Sequence, residues 1–261
     1  MPPIEVILGK LVQGEIDLKE AERLILQEVR IDGYQRISKI AKLDNTRAYR
    51  TGISEVVLAE GKSTEDILEI TKAQLELEGR VILTRVSNEQ LEALNGFNVK
   101  WNDRARVAVV GNTPTFEGPR GLVGVVSAGT ADIMVAEEAR VIAEEFGCDT
   151  ISIHDVGVAG IHRLYPELPK IMVADVLIVV AGREGALPTV IAGLTDVPVI
   201  GVPVSTGYGM GGKGEAALLS MLQSCSVLAV VNIDAGFVAG AFAAKVALRT
   251  ARAKEPEYRR I

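Results

Sequence analysis

The fold is decided by residues 175–188, which read DVLIVVAGREGALP. Six apolar residues in a row, Val176–Ala181, run directly into a Gly-Arg-Glu-Gly turn, and Leu187-Pro188 follow that turn. A short apolar run bounded by turn residues is typical of a strand that is buried on both faces, as in a parallel sheet. Because proline favours the first turn of a helix, the segment predicts a strand, a tight turn and a helix in succession.

The same strand–turn–helix unit recurs through the second half of the chain. The predicted strands are residues 122–127, 150–154, 176–181, 197–202 and 227–233. The predicted helices are residues 131–146, 158–172, 185–194, 213–223 and 237–251. Strands that alternate with helices in this way predict an α/β fold, here a C-terminal doubly wound parallel sheet of flavodoxin type. Right-handed crossovers then place helices on both faces of the sheet.

The residues before the loop-rich stretch 111–121 follow a different pattern. Three segments begin like capped helices, with an Asp or Ser three residues before a Glu, Asp or Gln: Asp17 and Glu20, Ser63 and Asp66, Ser87 and Gln90. Such pairs are the signature of a capping box. Short apolar runs at 81–84 and 106–110 predict strands. We therefore predict a smaller mixed α+β domain over residues 1–118 and the α/β domain over residues 119–261.

The composition of the 261-residue chain is that of a globular protein and excludes several functional classes. Hydrophobic residues make up 48%, charged residues 24%, and the net charge is −6, so we expect no nucleic-acid partner and no membrane-surface helix. No apolar run reaches the about 18 residues that a membrane helix needs, and the N-terminus lacks the pattern of a signal peptide. Because the chain has only two cysteines, Cys148 and Cys225, we expect a cytoplasmic location.

Ligands of open α/β sheets bind beyond the carboxyl ends of the strands, which gives a first set of candidate site residues. The predicted strands run into turns that carry Ser127, Gly129, Asp132, Asp155, Arg183, Glu184, Gly185, Asn232 and Asp234. Such turns present backbone N–H groups and helix N-termini to an anion such as a phosphate. The alternative is that the glycines only shape turns and that the Ser and Asp side chains only cap helices.

Three further features leave alternatives open. The glycine-rich segment 207–214, which contains Lys213, opens a helix but lacks the spacing of a P-loop. No Gly-x-Gly-x-x-Gly motif follows the first strand, which argues against a dinucleotide-binding Rossmann fingerprint. His162 is either a surface residue or a proton-transfer group, since imidazole titrates near neutral pH.

Cys225 precedes the fifth predicted strand, at the amino edge of the sheet and therefore away from the cleft. One interpretation is a buried small residue. The other is a thiol that completes the cleft of a neighbouring subunit, which requires an oligomer. The helix at 237–251 has a face of small residues that permits close helix packing and so favours an oligomer: Ala239, Gly240, Ala243, Ala244 and Ala247.

Several motifs of the second half form a known pattern. Ser127 and Asp132 are spaced five apart, Ile161-His162-Arg163 contains a His-Arg pair, residues 198–204 read PVIGVPV, and residues 219–223 read LSMLQ. Together, over residues 120–250, these motifs resemble the PurE family of aminoimidazole ribonucleotide carboxylases and mutases. In that family the His-Arg motif carries the proton-transfer histidine, which corresponds to His162.

Other segments resemble a specific branch of that family. Residues 47–57 read RAYRTGISEVV, residues 182–188 read GREGALP, and Cys225 is followed at 230–237 by VVNIDAGF. The whole chain is similar to the LarB family, the pyridinium-3,5-biscarboxylic acid mononucleotide synthases of nickel-pincer cofactor assembly. Glu184 and Cys225 match that branch and not PurE itself. The Pro-Gly that the branch has soon after this cysteine is Val227-Leu228 here.

The resemblance implies a substrate, nicotinic acid adenine dinucleotide, and two changes to it. CO2 adds at C5 of the pyridinium ring, and the phosphoanhydride is cut to release AMP. Cys225 would activate the ring as a nucleophile, Glu184 or else His162 would remove the C5 proton, and Ser127 and Asp132 would hold CO2 or the carboxylate. Further substrate-binding residues would be Gly129, Asp155, Arg163, Arg183, Gly185, Lys213, Asn232, Asp234, Arg47 and Arg50. The same resemblance implies Mg²⁺, CO2 or bicarbonate as co-substrate, and a homo-oligomer, most simply an octamer.

Two other functional classes stay open on the sequence. A PurE-type carboxylase or mutase would act on a purine precursor, and activity on aminoimidazole ribonucleotide would identify it. A non-catalytic nucleotide-binding module would bind its ligand tightly without turnover.

Overall fold

The computed structural model describes residues 4–31, 35–37, 41–44, 47–116 and 118–254. The helices of the first half are α1 (Ile4–Val12), α2 (Leu18–Ile31), α3 (Arg47–Thr51), α4 (Thr64–Glu78) and α5 (Asn88–Ala93). Its strands are β1 (Gln35–Ile37), β2 (Ala41–Leu43), β3 (Val56–Leu58), β4 (Arg80–Thr84), β5 (Val99–Asn102) and β6 (Val107–Gly111). The last four strands form a mixed sheet in the order β3-β4-β6-β5, and β1 pairs with β2.

The helix starts of this half follow the expected local rules. Ser63 and Ser87 each form a capping box, in which the Ser hydroxyl accepts a hydrogen bond from the backbone N–H three residues on. Asp17 accepts a hydrogen bond from the backbone N–H of Glu20 at 2.7 Å. The three predicted helix starts are thus confirmed.

The second half forms a parallel sheet covered by helices on both faces. Its strands are β7 (Leu122–Ser127), β8 (Asp149–Ile153), β9 (Val176–Ala181), β10 (Val199–Pro203) and β11 (Ala229–Val230). Its helices are α6 (Ile133–Glu145), α7 (Leu168–Ile171), α8 (Leu187–Ala192), α9 (Glu215–Leu222) and α10 (Gly236–Lys254). The strand order β11-β10-β9-β7-β8 is the flavodoxin order, so the predicted fold class is confirmed. The order reverses between β7 and β9, which makes that point the expected ligand crevice.

Two predicted elements differ from the structure. The helix expected over residues 158–172 is divided into 3-10 turns at Val158–Arg163 and Tyr165–Glu167 and the short helix α7. Gly160 has non-helical angles (φ −139°, ψ 54°), and Pro166 and Pro169 each begin a new turn because proline removes an N–H donor. The strand expected over 227–233 is only the two residues of β11.

Buried residues arrange the molecule in five layers. One apolar cluster contains residues of β4 and β6, residues of α6 and α10, and residues of β7, β9 and β10, so the two helices pack between the two sheets. The outer face of the first sheet is covered by α4, and the outer face of the second by α7, α8 and α9. The predicted domains therefore share one core across α6 and α10. A boundary at residue 118 falls in the connection between β6 and β7 and stays a prediction.

The small-residue face of α10 has a different role from the one expected. Ala239, Ala243, Ala244 and Ala247 are fully buried within this one chain. A Cβ built on Gly240 would lie 2.3 Å from the carbonyl oxygen of Ala139, so α10 crosses α6 in close contact. Contacts within one subunit bury this face, so the inference that it packs against another subunit is wrong.

Ion pairs and hydrogen bonds connect the first sheet to α6. The buried carboxylate of Glu145 pairs with Arg80 and, at 2.8 Å, with the ammonium of Lys100. One turn from the start of the helix, the buried carboxyl group of Glu138 accepts a hydrogen bond from the hydroxyl of Thr84.

Among the helices that the structure describes, none combines the length and the apolar character that crossing a bilayer requires.

Candidate functional site

A cleft of about 620 Å³ opens at the carboxyl edge of the parallel sheet. Its walls come from the loops after β7, β8, β9 and β10, around the point where the strand order reverses. Six of the sequence-predicted site residues line it: Gly129, Asp132, Asp155, Arg163, Arg183 and Glu184. We call this space the catalytic cleft.

Asp132 is the most buried charged residue of the catalytic cleft, with 5% of its surface exposed. Its carboxylate accepts hydrogen bonds from the backbone N–H of Gly129 at 2.9 Å and from the hydroxyl of Thr206 at 3.2 Å. Burial raises the pKa of Asp132, and these hydrogen bonds offset only part of that effect. The side chain closes the loop that begins at Gly129 and does not cap α6, so the expectation of a cap on that helix is wrong. Its raised pKa makes it a carboxyl group suited to carrying a proton.

The loop after β9 presents Arg183 and Glu184 to the catalytic cleft. Arg183 has a φ of 52° and Gly185 a φ of 62°, and the N–H of Gly185 donates to the carbonyl of Gly182 at 2.8 Å. A Cβ at Gly185 would lie 2.7 Å from the backbone of Ala217, so only glycine fits there. Gly185 therefore shapes the turn, and the exposed Glu184 carboxylate is available to a ligand.

Arg183 also contacts the glycine-rich loop. Its guanidinium lies 4.6 Å from the centre of the Tyr208 ring, within the range of a cation–π contact. Tyr208 lines the catalytic cleft from this loop. Lys213, at the end of the same loop, is exposed and has a φ of 58° just before α9 begins. Lys213 does not line the described part of the cleft, so its contact with a phosphate stays a prediction.

The loop after β8 brings Arg163 toward the cleft. The Arg163 guanidinium pairs with the carboxylate of Asp155, and its Nε donates weakly to the carbonyl of Gly160. A Cβ at Gly160 would lie 2.7 Å from that Nε, so this glycine makes room for the arginine. The neighbouring His162 is exposed. His162 is not one of the described residues that line the cleft, and its role in proton transfer stays a prediction.

Ser127 lies beneath the cleft and has no exposed surface. Its hydroxyl is 2.9 Å from Nδ1 of His154, and Nε2 of His154 is 3.7 Å from the carboxylate of Glu137. Glu137 is itself held by Arg140 at 2.9 and 3.0 Å. Sequence reasoning missed the Ser127–His154 pair. The parallel pairing of β7 with β8 brings the ends of the two strands together, with Val126 opposite Ile153, and so places the two side chains side by side.

The two cysteines differ in environment. Cys148 is fully buried, and burial raises the pKa of its thiol to about 12, which keeps it protonated. Cys225 is exposed, in the turn between α9 and β11 at the amino edge of the sheet. The buried interpretation of Cys225 is therefore wrong. Within the part of this chain that the structure describes, Cys225 does not line the catalytic cleft.

A second cavity of about 510 Å³ lies between the first sheet and the parallel sheet. We call it the interdomain cavity. It is lined from the first half by Lys62, Arg85 and Arg106, and from the second half by Glu138, Ser205 and Asp234. Sequence reasoning missed the three cations, because residues 62, 85 and 106 lie in separate loops. Ala131 and Thr206 line both this cavity and the catalytic cleft.

Asp234 and Asn232, the last two predicted residues of the second half, follow β11 and do not line the described part of the catalytic cleft. Asp234 accepts a hydrogen bond from the N–H of Ser205 at 2.9 Å, and its carbonyl accepts one from the guanidinium of Arg85. It lines the interdomain cavity. The Asn232 side chain is exposed and accepts from the N–H of Ile233 at 2.8 Å.

Arg47 and Arg50 lie on α3, in the segment that reads RAYRTGISEVV. Arg50 pairs with Asp44, and the Glu55 carboxylate accepts from the backbone N–H of Asp44 at 2.7 Å, so part of this motif organises its own loop. Neither arginine lines the described part of the catalytic cleft or of the interdomain cavity. Their contact with substrate phosphates stays a prediction.

A metal ion would have few protein ligands here. Among the described residues, no three His, Cys, Asp or Glu side chains converge to form a metal site. Mg²⁺ is commonly held by one or two carboxylates together with substrate phosphates, and the cleft offers Asp155 and Glu184 for that purpose. The described part of the structure thus lacks a dedicated Mg²⁺ cage.

Comparison with known proteins adds two family models and several relatives. The AIR carboxylase model matches residues 122–260, and the LarB/PurE-like N-terminal domain model matches residues 34–112. An uncharacterized protein of Methanocaldococcus jannaschii is 43% identical over 90% of this chain and 93% of its own length. An N5-carboxyaminoimidazole ribonucleotide mutase of the same organism is 38% identical over 44% of this chain and 71% of its own. The corresponding mutase of Pyrococcus horikoshii is 31% identical over 56% and 80%.

Proposed function

The chain belongs to the LarB family and carries a PurE-like domain, and from this we propose that it carboxylates the pyridinium ring of nicotinic acid adenine dinucleotide. A carboxylase- or mutase-type function follows from the family itself. The finer proposal adds hydrolysis of the phosphoanhydride, which yields AMP and pyridinium-3,5-biscarboxylic acid mononucleotide. The observation that carries it is the catalytic cleft, where a buried carboxyl group, an exposed carboxylate and two guanidinium groups meet.

The chemistry requires a group that first adds to the ring. Carbon C5 of a pyridinium ring is electron-poor and does not attack CO2. A thiolate that adds at C4 gives a dihydropyridine, whose C5 is enamine-like and forms the new bond to CO2. Loss of the C5 proton to a base, with expulsion of the thiolate from C4, restores the aromatic ring. A soft nucleophile that also leaves well suits both halves of this cycle, which favours cysteine.

Cys225 is the proposed nucleophile. It is exposed, whereas Cys148 is buried and its pKa is raised to about 12. Because Cys225 lies at the amino edge of its own sheet, we propose that it completes the catalytic cleft of a neighbouring copy. The assembly is then a homo-oligomer, and the PurE resemblance suggests an octamer. The free thiols also agree with the cytoplasmic location that we propose.

Proton transfer at C5 is assigned to Glu184, with His162 as the alternative. Glu184 is exposed at the catalytic cleft, where a ligand can reach it. Asp132, with its raised pKa, is proposed to donate a hydrogen bond to the bound CO2 or carboxylate. Ser127 is buried and bonded to His154, so we assign it to supporting the loop that carries Gly129 rather than to contact with CO2.

The phosphates of the substrate need positive partners. Arg163 and Arg183 stand at the catalytic cleft, and Lys213 lies at the end of the loop that carries Tyr208. Arg47 and Arg50 are proposed to reach phosphates only across a subunit contact. Mg²⁺ bound to the phosphates would spread the charge of the phosphoanhydride during hydrolysis, with Asp155 or Glu184 as its protein ligand.

The runner-up function is a PurE-type mutase or carboxylase. Relatives named N5-carboxyaminoimidazole ribonucleotide mutase support it, since they match about half of this chain at 30–38% identity. The exposed Glu184 and Cys225, which match the LarB branch, count against it. A non-catalytic nucleotide-binding module is the third possibility.

One turnover experiment separates these three functions. The purified protein is incubated with bicarbonate and either nicotinic acid adenine dinucleotide or aminoimidazole ribonucleotide, and the products are identified by mass spectrometry. We expect AMP and a dicarboxylated mononucleotide from the dinucleotide only. Turnover of aminoimidazole ribonucleotide alone would identify a PurE-type enzyme, and binding of either compound without turnover would identify a binding module.

A further inference from the structure

The interdomain cavity has the size and position of a second ligand site. Its volume of about 510 Å³ and that of the catalytic cleft, about 620 Å³, both fall within the range of about 300–1,000 Å³ that is typical of ligand pockets. Ala131 and Thr206 border both spaces. A ligand made of two linked halves can therefore occupy the two spaces at once.

The walls of this cavity are held in place before any ligand arrives. The side-chain amide of Gln90 donates to the carbonyls of Ala59 and Lys62 at 3.0 and 2.9 Å, which fixes the loop that carries Lys62. The Nε of Arg106 donates to the carbonyl of Val86 at 2.9 Å, and the N–H of Val86 donates back to the carbonyl of Arg106 at 3.0 Å. Such preorganisation lowers the cost of ordering the site on binding.

Two of the cations in the cavity have no carboxylate partner among the described residues, while the third is already neutralised. Arg85 pairs with Glu60 at 3.0 Å and lies 3.8 Å from Glu138. Lys62 donates to the carbonyl of Leu58 at 2.8 Å, and in the described part of the chain no salt bridge involves Lys62 or Arg106. These two side chains are therefore available to an anionic group such as a phosphate.

The rest of the wall fits a nucleoside. The half-exposed side chain of Met134, beside Val135 and Val204, gives an apolar surface on which a flat base can pack. One carboxylate oxygen of Asp234 accepts a hydrogen bond from the N–H of Ser205. No donor among the described residues bonds to the other oxygen, which can accept from a ribose hydroxyl. Carboxylates bind ribose hydroxyls in this way in other nucleotide sites.

We propose that the interdomain cavity binds the adenosine monophosphate half of the dinucleotide, with Arg106 and Lys62 at its phosphate and Met134 against its base. The pyridinium nucleotide then occupies the catalytic cleft, and the phosphoanhydride passes Ala131 and Thr206. The identity of the second half rests on the proposed function. The first half of the chain, which supplies Lys62 and Arg106 to the cavity, would thus extend the site from one nucleotide to two.

Calorimetric titration with AMP and, separately, with nicotinic acid mononucleotide tests this assignment. Arg106→Ala removes a charge-assisted hydrogen bond and should weaken AMP binding at least ten-fold, while binding of nicotinic acid mononucleotide is unchanged. Met134→Glu places a negative charge beside the base and phosphate and should weaken AMP binding further. Arg104→Ala is the matched control, because Arg104 is exposed in the same turn and is not a lining residue of the described cavity.

The outcomes separate this inference from the proposed function. AMP affinity that falls in both variants, with wild-type affinity in the control, supports the site even if the protein fails to turn over the dinucleotide. Wild-type AMP affinity in Arg106→Ala and Met134→Glu overturns it even if turnover is observed. Failure of AMP to bind the wild-type protein, or direct competition between AMP and nicotinic acid mononucleotide for one site, also overturns it.

Discussion

At the scale of single residues, the candidate site depends on side chains held by unusual backbone. Asp155, Arg183 and Asp234 all have positive φ values at the ends of strands, where glycine is the usual residue. Such conformations persist only when surrounding contacts hold them, and they cluster at functional sites. The sequence predicted these positions from strand ends alone, and it gave no sign of their backbone conformation.

Asp132 gives a prediction about pH. Because burial raises its pKa, the folded state binds a proton more readily than the unfolded state, whose Asp pKa is about 3.9. Stability contributed by the protonated form is complete below that value and is lost as pH rises through the raised pKa. Asp132→Asn does not titrate, so its stability relative to wild type should increase from pH 4 to pH 7, while carboxylation falls. Thermal unfolding across that range measures it, and a constant difference would contradict the raised pKa.

Other residues of the site were beyond sequence reasoning for a physical reason. Arg85 and Arg106 come from loops of the first sheet, and they line one cavity with Asp234 and Glu138 only because α6 and α10 pack between the sheets. His154 would have been easier to find from the sequence, because the parallel pairing of β7 with β8 places it beside Ser127. Local sequence patterns predict helix caps and strand ends. Contacts between residues on opposite sides of a shared core can be found only once the packing of the elements is known.

At the scale of elements, predictions succeeded where a local rule governs the backbone. A capping box needs only two side chains three residues apart, so the starts of α4 and α5 were read directly from the sequence. The segment 158–172 failed as one helix because Gly160, Pro166 and Pro169 each interrupt the hydrogen-bond ladder. β11 failed as a long strand because it pairs on one side only, with β10, and over two residues.

The crossing of α6 and α10 gives a prediction about packing. Gly240→Ala would place a methyl group 2.3 Å from the carbonyl oxygen of Ala139, so the helices must separate. We expect a loss of about 1–3 kcal/mol in the free energy of unfolding. Gly9→Ala in α1 is the control, because a Cβ there meets nothing within 4 Å and alanine is favoured over glycine in a helix by about 0.5–1 kcal/mol. Equal stability of the two variants in urea titrations would show that the crossing is looser than described.

At the scale of the whole molecule, two spaces border one sheet edge while the proposed nucleophile lies at the other. The catalytic cleft and the interdomain cavity both lie beyond the carboxyl ends of the parallel strands. Cys225 follows α9 at the amino edge. We propose that a second copy of the chain brings its Cys225 to the cleft of the first.

Hybrid oligomers test this arrangement. Cys225→Ser and Glu184→Gln subunits, carrying different tags, are co-expressed and the mixed assemblies are isolated. Each variant alone should be inactive, and the mixture should regain activity, because some sites combine an intact cleft with an intact thiol from the neighbour. Assemblies of Cys225→Ser with Cys225→Ala provide the control, since they contain no such thiol. A mixture as inactive as this control, or a fully active monomer, would contradict the shared site.

The central claim is that the Cys225 thiolate adds to the pyridinium ring, and adduct mapping tests it most directly. NAD is a pyridinium that can accept the thiolate without completing the reaction. After incubation with NAD and rapid digestion, mass spectrometry should locate the added nucleotide on the Cys225 peptide and not on the Cys148 peptide, together with a dihydropyridine absorbance band. Cys225→Ser should give no adduct and should lose carboxylation by several orders of magnitude, while Cys148→Ser keeps most of it. Substantial carboxylation by Cys225→Ser, with no adduct on the wild-type thiol, would contradict the account.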